Sequence, residues 1–214
     1  ALFSHALMLS TEFDDLVLSR AIASASRDVC QGEILQTQRR FDLTLTRQDY
    51  FEIIEMKTGA LFAAATDLAA YLSGVSTEVR DAMSDFGMKL GTAYQIYDDC
   101  LDLVGSEEQF GKTLRTDLEK GKLTLPMLYL LEEAGDTQRD ILQKRIIQQE
   151  ELDLTVLAGI AEYQGAIARS LDHASTLLDE AGETLTLLGD SSYREALAGM
   201  LSFLAGLLAT LQKG

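Results

Sequence analysis

The sequence is poor in proline, cysteine and tryptophan, and each shortage excludes something. Its 214 residues include 1 proline, 2 cysteines and no tryptophan. Because about 5% proline is usual, the single Pro126 argues against a loop-rich β fold and favours long helices. Two isolated cysteines, Cys30 and Cys100, are too few for a disulfide framework or a zinc site, and they suit a reducing, cytoplasmic location.

Positive charge and long apolar runs are scarce as well. The chain has 18 Lys and Arg against 34 Asp and Glu, so the formal net charge is −16 and the pI is near 4.4. This charge argues against nucleic acid as a partner and disfavours an anionic membrane surface. The longest uncharged run, 196–211, is shorter than the roughly 20 residues of a membrane-spanning helix. We therefore predict a buried C-terminal helix and no stable membrane insertion.

Helical periodicity is present over most of the chain. Apolar residues between Ser76 and Gly105 recur every three or four positions, which predicts one helix of about eight turns that begins and ends at these residues. A second helix begins after Thr46, where Asp49 completes a carboxylate variant of the capping box, and reaches 72. Further helical patterns cover 18–29, 125–133, 138–148, 154–188 and 193–211. Because no strand pattern of useful length occurs, the sequence predicts an all-α fold, a bundle of long helices in one domain over 1–214.

The segment GTAYQIYDDCLD, residues 91–102, interrupts the apolar pattern of the long helix. At about 100° per residue, four oxygen-bearing side chains lie on one side of it: Gln95, Asp98, Asp99 and Asp102. On the same face, Gly87 and Gly91 are expected to leave space above the carboxylates. Crowded like charges weaken a helix unless a cation compensates, and Mg²⁺ prefers such oxygen ligands. A solvated acidic helix face is the alternative interpretation.

Lysines and inward-facing polar residues suggest an anion nearby. Lys112 and Lys122 each follow a glycine in a loop that lacks the Walker pattern, and they are either phosphate ligands or solvated surface residues. Lys57 lies on the apolar side of its helix, so its ammonium group either reaches solvent or meets an anion. Glu33 and Gln36 continue an apolar line, which means that their helix has left the core or borders a wet cavity.

Together these residues make the sequence resemble the trans-isoprenyl diphosphate synthases, or polyprenyl synthetases. The segment QIYDDCLDLVGSEEQFGKTLRTDLEKGKLTLPMLYLL, 95–131, resembles the second aspartate-rich motif of the family and its lysine loop. CQGEILQ, 30–36, and the pair Lys57-Thr58 followed by ALFAAA resemble two further family patterns. ALFSHAL resembles the start of the preceding family helix, so the resemblance extends over essentially the whole chain.

The resemblance implies a fold of isoprenoid synthase type, with mostly antiparallel helices around a central cavity. It implies Mg²⁺ and, through it, a diphosphate bound by Asp98, Asp99 and Asp102, with Gln95 in support. Diphosphate oxygens would be held by Lys57, Lys112 and Lys122. The reaction cavity would be lined by Thr58, Glu33 and Gln36.

The family chemistry implied is head-to-tail prenyl transfer. An allylic prenyl diphosphate ionises, the double bond of isopentenyl diphosphate attacks the cation, and a proton is lost. Ionisation places negative charge on the leaving diphosphate, which a metal ion and lysines would stabilise. The resemblance also implies a homodimer.

The first aspartate-rich motif of the family is absent from this sequence. Asp14 and Asp15 do not repeat the DDxxD spacing, because Leu18 occupies the last position. Upstream basic residues that hold isopentenyl diphosphate are absent too, and the chain starts without Met or a basic leader. We therefore expect the C-terminal portion of a prenyltransferase whose reading frame encodes the first motif upstream.

Two other functions remain open at this point. A non-catalytic subunit could pack against a complete synthase and tune its product length, which would also explain the missing motif. A class I terpene cyclase has related chemistry, but no NSE-type second metal motif follows the lysine loop.

Overall fold

The computed structural model describes residues 2–105, 116–150, 152 and 154–212. The described part of the chain is helical without strands, and the prediction of an all-α fold of isoprenoid synthase type is confirmed. The α-helices in chain order are α1 (Leu2–Ser10), α2 (Leu16–Gln38), α3 (Arg47–Ile54), α4 (Ala60–Leu72), α5 (Thr77–Val104), α6 (Thr116–Glu119), α7 (Leu125–Glu133), α8 (Asp136–Gln148), α9 (Leu154–Ile160), α10 (Gln164–Thr184) and α11 (Ser192–Leu211).

Helix ends are confirmed where the sequence carries a cap. The Ser76 hydroxyl accepts a hydrogen bond from the Val79 N–H at the start of α5, and α5 gives way to Gly105 at its end. Thr46 and Asp49 form both hydrogen bonds of the capping box that opens α3. These ends are predictable because each depends on residues within one turn.

Two predicted helices are interrupted. A π-helical turn, Glu55–Gly59, separates α3 from α4, and the Ala60 N–H donates to the Glu55 carbonyl across it. The predicted helix 154–188 is divided between α9 and α10. The division has a local cause, because the Glu162 carboxylate accepts hydrogen bonds from the N–H groups of Gln164 and Gly165 and so caps a new helix.

The long helix α5 is the centre of the bundle, with α4 and α10 packed along it. Gly87 and Gly91 face α4, and a Cβ on Gly87 would lie only 2.4 Å from the Phe62 carbonyl oxygen. The prediction that these glycines leave space above the carboxylates is therefore wrong, since α4 fills that space. They instead allow two helix backbones to approach closely.

The prediction of a buried C-terminal helix is also wrong. Leu201, Leu204 and Leu208 of α11 are buried, whereas Tyr193 is 83% and Phe203 70% exposed. Of the helices in the described ranges, α11 alone has the length and apolar composition to cross a membrane. Only 17% of its most apolar 18-residue stretch is buried. Composition alone is weak evidence for a membrane location, and the absence of stable membrane insertion stays a prediction.

His173 of α10 should give the fold a measurable pH dependence. Its ring stacks on Phe51 of α3 with centroids 4.6 Å apart. Burial, and then the Arg47 charge, lower the pKa of His173 below its usual value. The unfolded chain therefore binds this proton at a higher pH than the folded chain, so the stabilising contribution is complete above about pH 6.5 and is lost as the pH falls below it.

His173→Phe keeps the aromatic stack and removes the titration. We expect the free energy of unfolding of this variant, minus that of the parent, to increase between pH 7 and pH 5 in urea titrations. A profile of His173→Phe that runs parallel to that of the parent would contradict the assignment.

Candidate functional site

Asp99 of α5 is held by residues from two neighbouring elements. It is 3% exposed, and both of its carboxylate oxygens accept hydrogen bonds. The Tyr50 hydroxyl of α3 donates to Oδ2 at 2.6 Å, and the Gln95 amide donates to Oδ1 at 2.9 Å. Gln95 in turn accepts a 2.7 Å hydrogen bond from the Thr58 hydroxyl of the π turn. The π turn and α3 thus fix one side of the acidic motif.

Burial determines the protonation states of Asp99 and Tyr50. Removal from water raises the pKa of Asp99 to about 7, even though the hydrogen bonds from Tyr50 and Gln95 act to lower it. Burial and the neighbouring Asp99 charge raise the pKa of Tyr50 well above its ordinary value. Tyr50 therefore stays a hydrogen-bond donor to Asp99 at neutral pH.

Asp102, one turn later, is held by the start of α6. It is 8% exposed, and its oxygens accept hydrogen bonds from the Thr116 N–H at 3.3 Å and from the Asp117 N–H at 3.0 Å. Hydrogen bonds to backbone N–H groups fix the direction of a carboxylate. Asp102 thus ties the C-terminal end of α5 to the segment that leads to Lys122.

Asp99 and Asp102 point in different directions. Asp99 turns to Tyr50 and Gln95, Asp102 turns to α6, and Asp98 is half-buried. Within the described ranges, no group of three carboxylate, imidazole or thiol side chains is gathered around a point where a metal ion could bind. The donor chemistry still fits Mg²⁺, which binds through one or two carboxylates and takes water and phosphate oxygens for the rest. The arrangement fits an ion shared with a bound diphosphate, and the ligand role of the three aspartates stays a prediction.

Lys57, Glu33 and Gln36 are brought together between the π turn and α2. The Lys57 ammonium donates to the Gln36 side-chain oxygen at 2.9 Å and lies 3.4 Å from a Glu33 carboxylate oxygen. The Lys57 side chain is 22% exposed, whereas that of Glu33 is 52% exposed. Of the two alternatives for Lys57, the structure shows contact with an anion, and that anion belongs to the protein.

Lys122 has a similar internal partner. Its ammonium lies 2.7 Å from an Asp117 carboxylate oxygen, and both side chains are 16% exposed. Asp117 thus binds Lys122 through its side chain and Asp102 through its N–H. Lys112 lies outside the described residues, and its role stays a prediction.

A groove of about 620 Å³ begins beside Lys57. Lys57 and six residues of α2 line it: Val29, Cys30, Glu33, Ile34, Thr37 and Gln38. An ammonium group near aliphatic side chains suits an amphiphile that has an anionic head and an apolar tail.

Sequence reasoning missed Tyr50. The residue lies within the apolar pattern of α3 and is 2% exposed. The pattern therefore identifies it only as a core residue. The available signal is chemical, because a buried tyrosine hydroxyl usually has a hydrogen-bond partner. The identity of that partner, 49 residues away, is not encoded locally.

The fold and the site together define a class, that of all-α proteins with the isoprenoid synthase fold. Residues 1–162 match the family model described as polyprenyl synthetase. The chain therefore belongs to the polyprenyl synthetase family.

Individual relatives agree with this assignment. The chain is 31% identical to the all-trans-nonaprenyl-diphosphate synthase (geranyl-diphosphate specific) of Rhodobacter capsulatus over 93% of this chain and 61% of the relative. It is 36% identical to the short chain isoprenyl diphosphate synthase of Methanothermobacter thermautotrophicus over 82% of this chain and 54% of the relative. The chain thus spans between about half and three fifths of the length of these curated relatives.

A solved structure of similar fold contains ligands. The polyprenyl synthase of Caulobacter crescentus, complexed with calcium and isoprenyl diphosphate, has a TM-score of 0.87 and 34% sequence identity. The similarity covers 95% of this chain and 63% of that structure.

Proposed function

We propose that this chain is one helical domain of a prenyltransferase and carries the diphosphate-binding side of its active site. The reaction is the condensation of isopentenyl diphosphate with an allylic prenyl diphosphate. The observation that carries the proposal is the hydrogen-bonded series Thr58, Gln95, Asp99 and Tyr50. It joins the π turn that bears Lys57 to the acidic motif at the end of α5, so that cationic and anionic groups occur in one site.

The residues present support Mg²⁺ as the metal. Asp98 is the proposed direct ligand, because it is half-buried, whereas Asp99 and Asp102 are only 3% and 8% exposed. When bound, the ion stabilises negative charge on the leaving diphosphate. Asp99 and Asp102 hold the backbone and side chains around it in place.

The lysines have a defined role in the proposed reaction. As the allylic C–O bond breaks, its electron pair goes to the diphosphate, whose oxygens Lys57 and Lys122 stabilise. Each ammonium group must then exchange its internal partner, Glu33 or Asp117, for a diphosphate oxygen. The new C–C bond forms at the cation, and the proton that is lost passes to the released diphosphate.

The apolar groove beside Lys57 supports a long hydrocarbon substrate. Val29 and Ile34 of α2 line it, and Ile34 is 56% exposed, so the groove is open to solvent and its aliphatic side chains would pack against the hydrocarbon tail of a substrate. The homodimer and the cytoplasmic location implied by the family resemblance belong to the proposal as well. Sedimentation equilibrium measures the oligomeric state, and cell fractionation measures the location.

Incorporation of labelled isopentenyl diphosphate tests the proposed reaction. The assay uses this chain with any residues that precede Ala1 in its reading frame, an allylic diphosphate, and Mg²⁺ or EDTA. We expect turnover only with Mg²⁺. Lys57→Ala and Lys122→Ala should each raise KM by about ten- to a hundredfold, because each removes a charge-assisted hydrogen bond to diphosphate.

Lys144 of α8 is exposed and provides the matched control, since Lys144→Ala removes one positive charge without touching the site. Equal KM values for all three variants would contradict the assigned lysines. Turnover that appears only after a complete synthase is added would instead identify a non-catalytic subunit.

A further inference from the structure

Two residues with positive φ meet between the end of α2 and the turn before Lys122. Phe41 has φ of 58° and Gly121 has φ of 75°. The Phe41 N–H donates to the Gly121 carbonyl at 2.7 Å. The Phe41 ring occupies the place where a Gly121 side chain would begin, since a Cβ there would lie 2.5 Å from ring carbons.

The conformation of Phe41 is unusual for a bulky residue. Positive φ brings the Cβ of an L-residue close to its own backbone, so glycine and asparagine are the usual occupants of this region. Such a conformation persists only where the surroundings enforce it, and these positions cluster at functional sites. Here the enforcing contacts are the hydrogen bond to Gly121 and the packing of the ring against it.

The turn that Phe41 holds determines where Lys122 lies. The Gly121 N–H donates to the Leu118 carbonyl and the Lys122 N–H to the Asp117 carbonyl, both at 2.9 Å. Asp117 then binds the Lys122 ammonium through its carboxylate and Asp102 through its N–H. A shift of the Gly121 carbonyl would thus move both Lys122 and the partner of Asp102.

We propose that Phe41 is a positioning residue for diphosphate binding, acting through Gly121 to hold Lys122 and the Asp117–Asp102 hydrogen bond in place. The same contact fixes the end of α2 against the turn that carries Lys122. This end of α2 also carries Glu33 and Gln36, the two partners of Lys57. The two cationic parts of the site are then held at a constant separation. This inference rests on the proposed function.

Binding of inorganic diphosphate with Mg²⁺, measured by calorimetry on this chain together with any residues that precede Ala1 in its reading frame, tests the inference. Phe41→Ala should weaken binding by about five- to tenfold. Phe41→Asn keeps the left-handed preference without the ring and should weaken it less. In a Lys122→Ala background, Phe41→Ala should change the affinity by less than about twofold, because both substitutions then act on one contact.

Gln149 provides a matched control. It ends α8 with φ of 56°, so Gln149→Ala alters the same kind of backbone position outside the site. We expect no change in diphosphate affinity for this variant. If Phe41→Ala weakens binding equally with and without Lys122, the positioning role is wrong and Phe41 is only structural.

Amide hydrogen exchange distinguishes this inference from the proposed function, because it needs no ligand. Phe41→Ala should reduce the protection of the Asp117 and Lys122 N–H groups by about tenfold, while the N–H groups of α8 keep theirs. Unchanged protection at both positions would overturn the inference. Failure of the parent chain to bind diphosphate, together with the expected loss of protection, would count against the proposed function alone.

Discussion

Asp98→Asn should reduce the proposed prenyl transfer about a hundredfold or more while leaving the fold intact. The substitution keeps the size of the side chain and removes the charge that the proposed Mg²⁺ site needs, and loss of one stabilising group for transition-state charge has an effect of this order. Asp98 is only half-buried, so its neutralisation should leave the melting temperature within about a degree or two of the parent. Turnover and thermal unfolding of the same preparations measure both quantities.

The neighbouring Asp102 allows a sharper comparison. Asp102→Asn alters a carboxylate that accepts hydrogen bonds from two backbone N–H groups of α6, so it should lower the melting temperature as well as turnover. Asp98→Asn should instead raise the Mg²⁺ concentration needed for half-maximal turnover. Asp140→Asn, at an exposed position of α8, is the charge-matched control and should change neither quantity. Full turnover by Asp98→Asn at the Mg²⁺ requirement of the parent would remove Asp98 from the site.

Gly87→Ala should destabilise the fold by about 3 kcal/mol, near the upper end for an overpacked core. The added methyl group would lie 2.4 Å from the Phe62 carbonyl oxygen. A backbone carbonyl cannot relieve this clash by rotation, as the end of a side chain can. Helices α4 and α5 would have to separate, which would also disturb the Thr58–Gln95 contact between the π turn and α5. The midpoint of urea unfolding measures the effect.

Gly199 offers the opposite outcome from the same substitution. It lies in α11, and a Cβ there would meet nothing within 4 Å. Gly199→Ala should therefore stabilise the protein by up to about 1 kcal/mol through helix propensity alone. Similar midpoints for the two variants would show that the close approach of α4 to α5 is not required for stability.

The features that the sequence predicts correctly depend on near neighbours. Thr46 with Asp49 and Ser76 with Val79 satisfy hydrogen bonds within one helical turn, so the sequence alone locates these caps. Spacing along one helix likewise puts Gln95 and Asp99 in contact. The all-α class follows from periodicity over the whole chain.

The features that the sequence predicts wrongly or misses depend on residues that are distant along the chain. Apolar periodicity cannot show that Gly87 faces the Phe62 backbone, that Tyr50 donates to Asp99, or which face of α11 is covered. The π turn escapes prediction because one wide turn hardly changes the apolar pattern. The ligand role of the three aspartates stays a prediction, and periodicity does not show that Asp102 accepts from the Asp117 N–H or that Asp99 accepts from the Tyr50 hydroxyl.

The exposed apolar face of α11 has a consequence for the behaviour of this chain in solution. At neutral pH a formal charge of −16 opposes non-specific association between molecules by mutual repulsion. Near the pI of 4.4 that repulsion vanishes, while Tyr193 and Phe203 remain uncovered. Colloidal stability of the chain then depends on net charge, and light scattering should rise as the pH approaches 4.4 or as salt screens the charges.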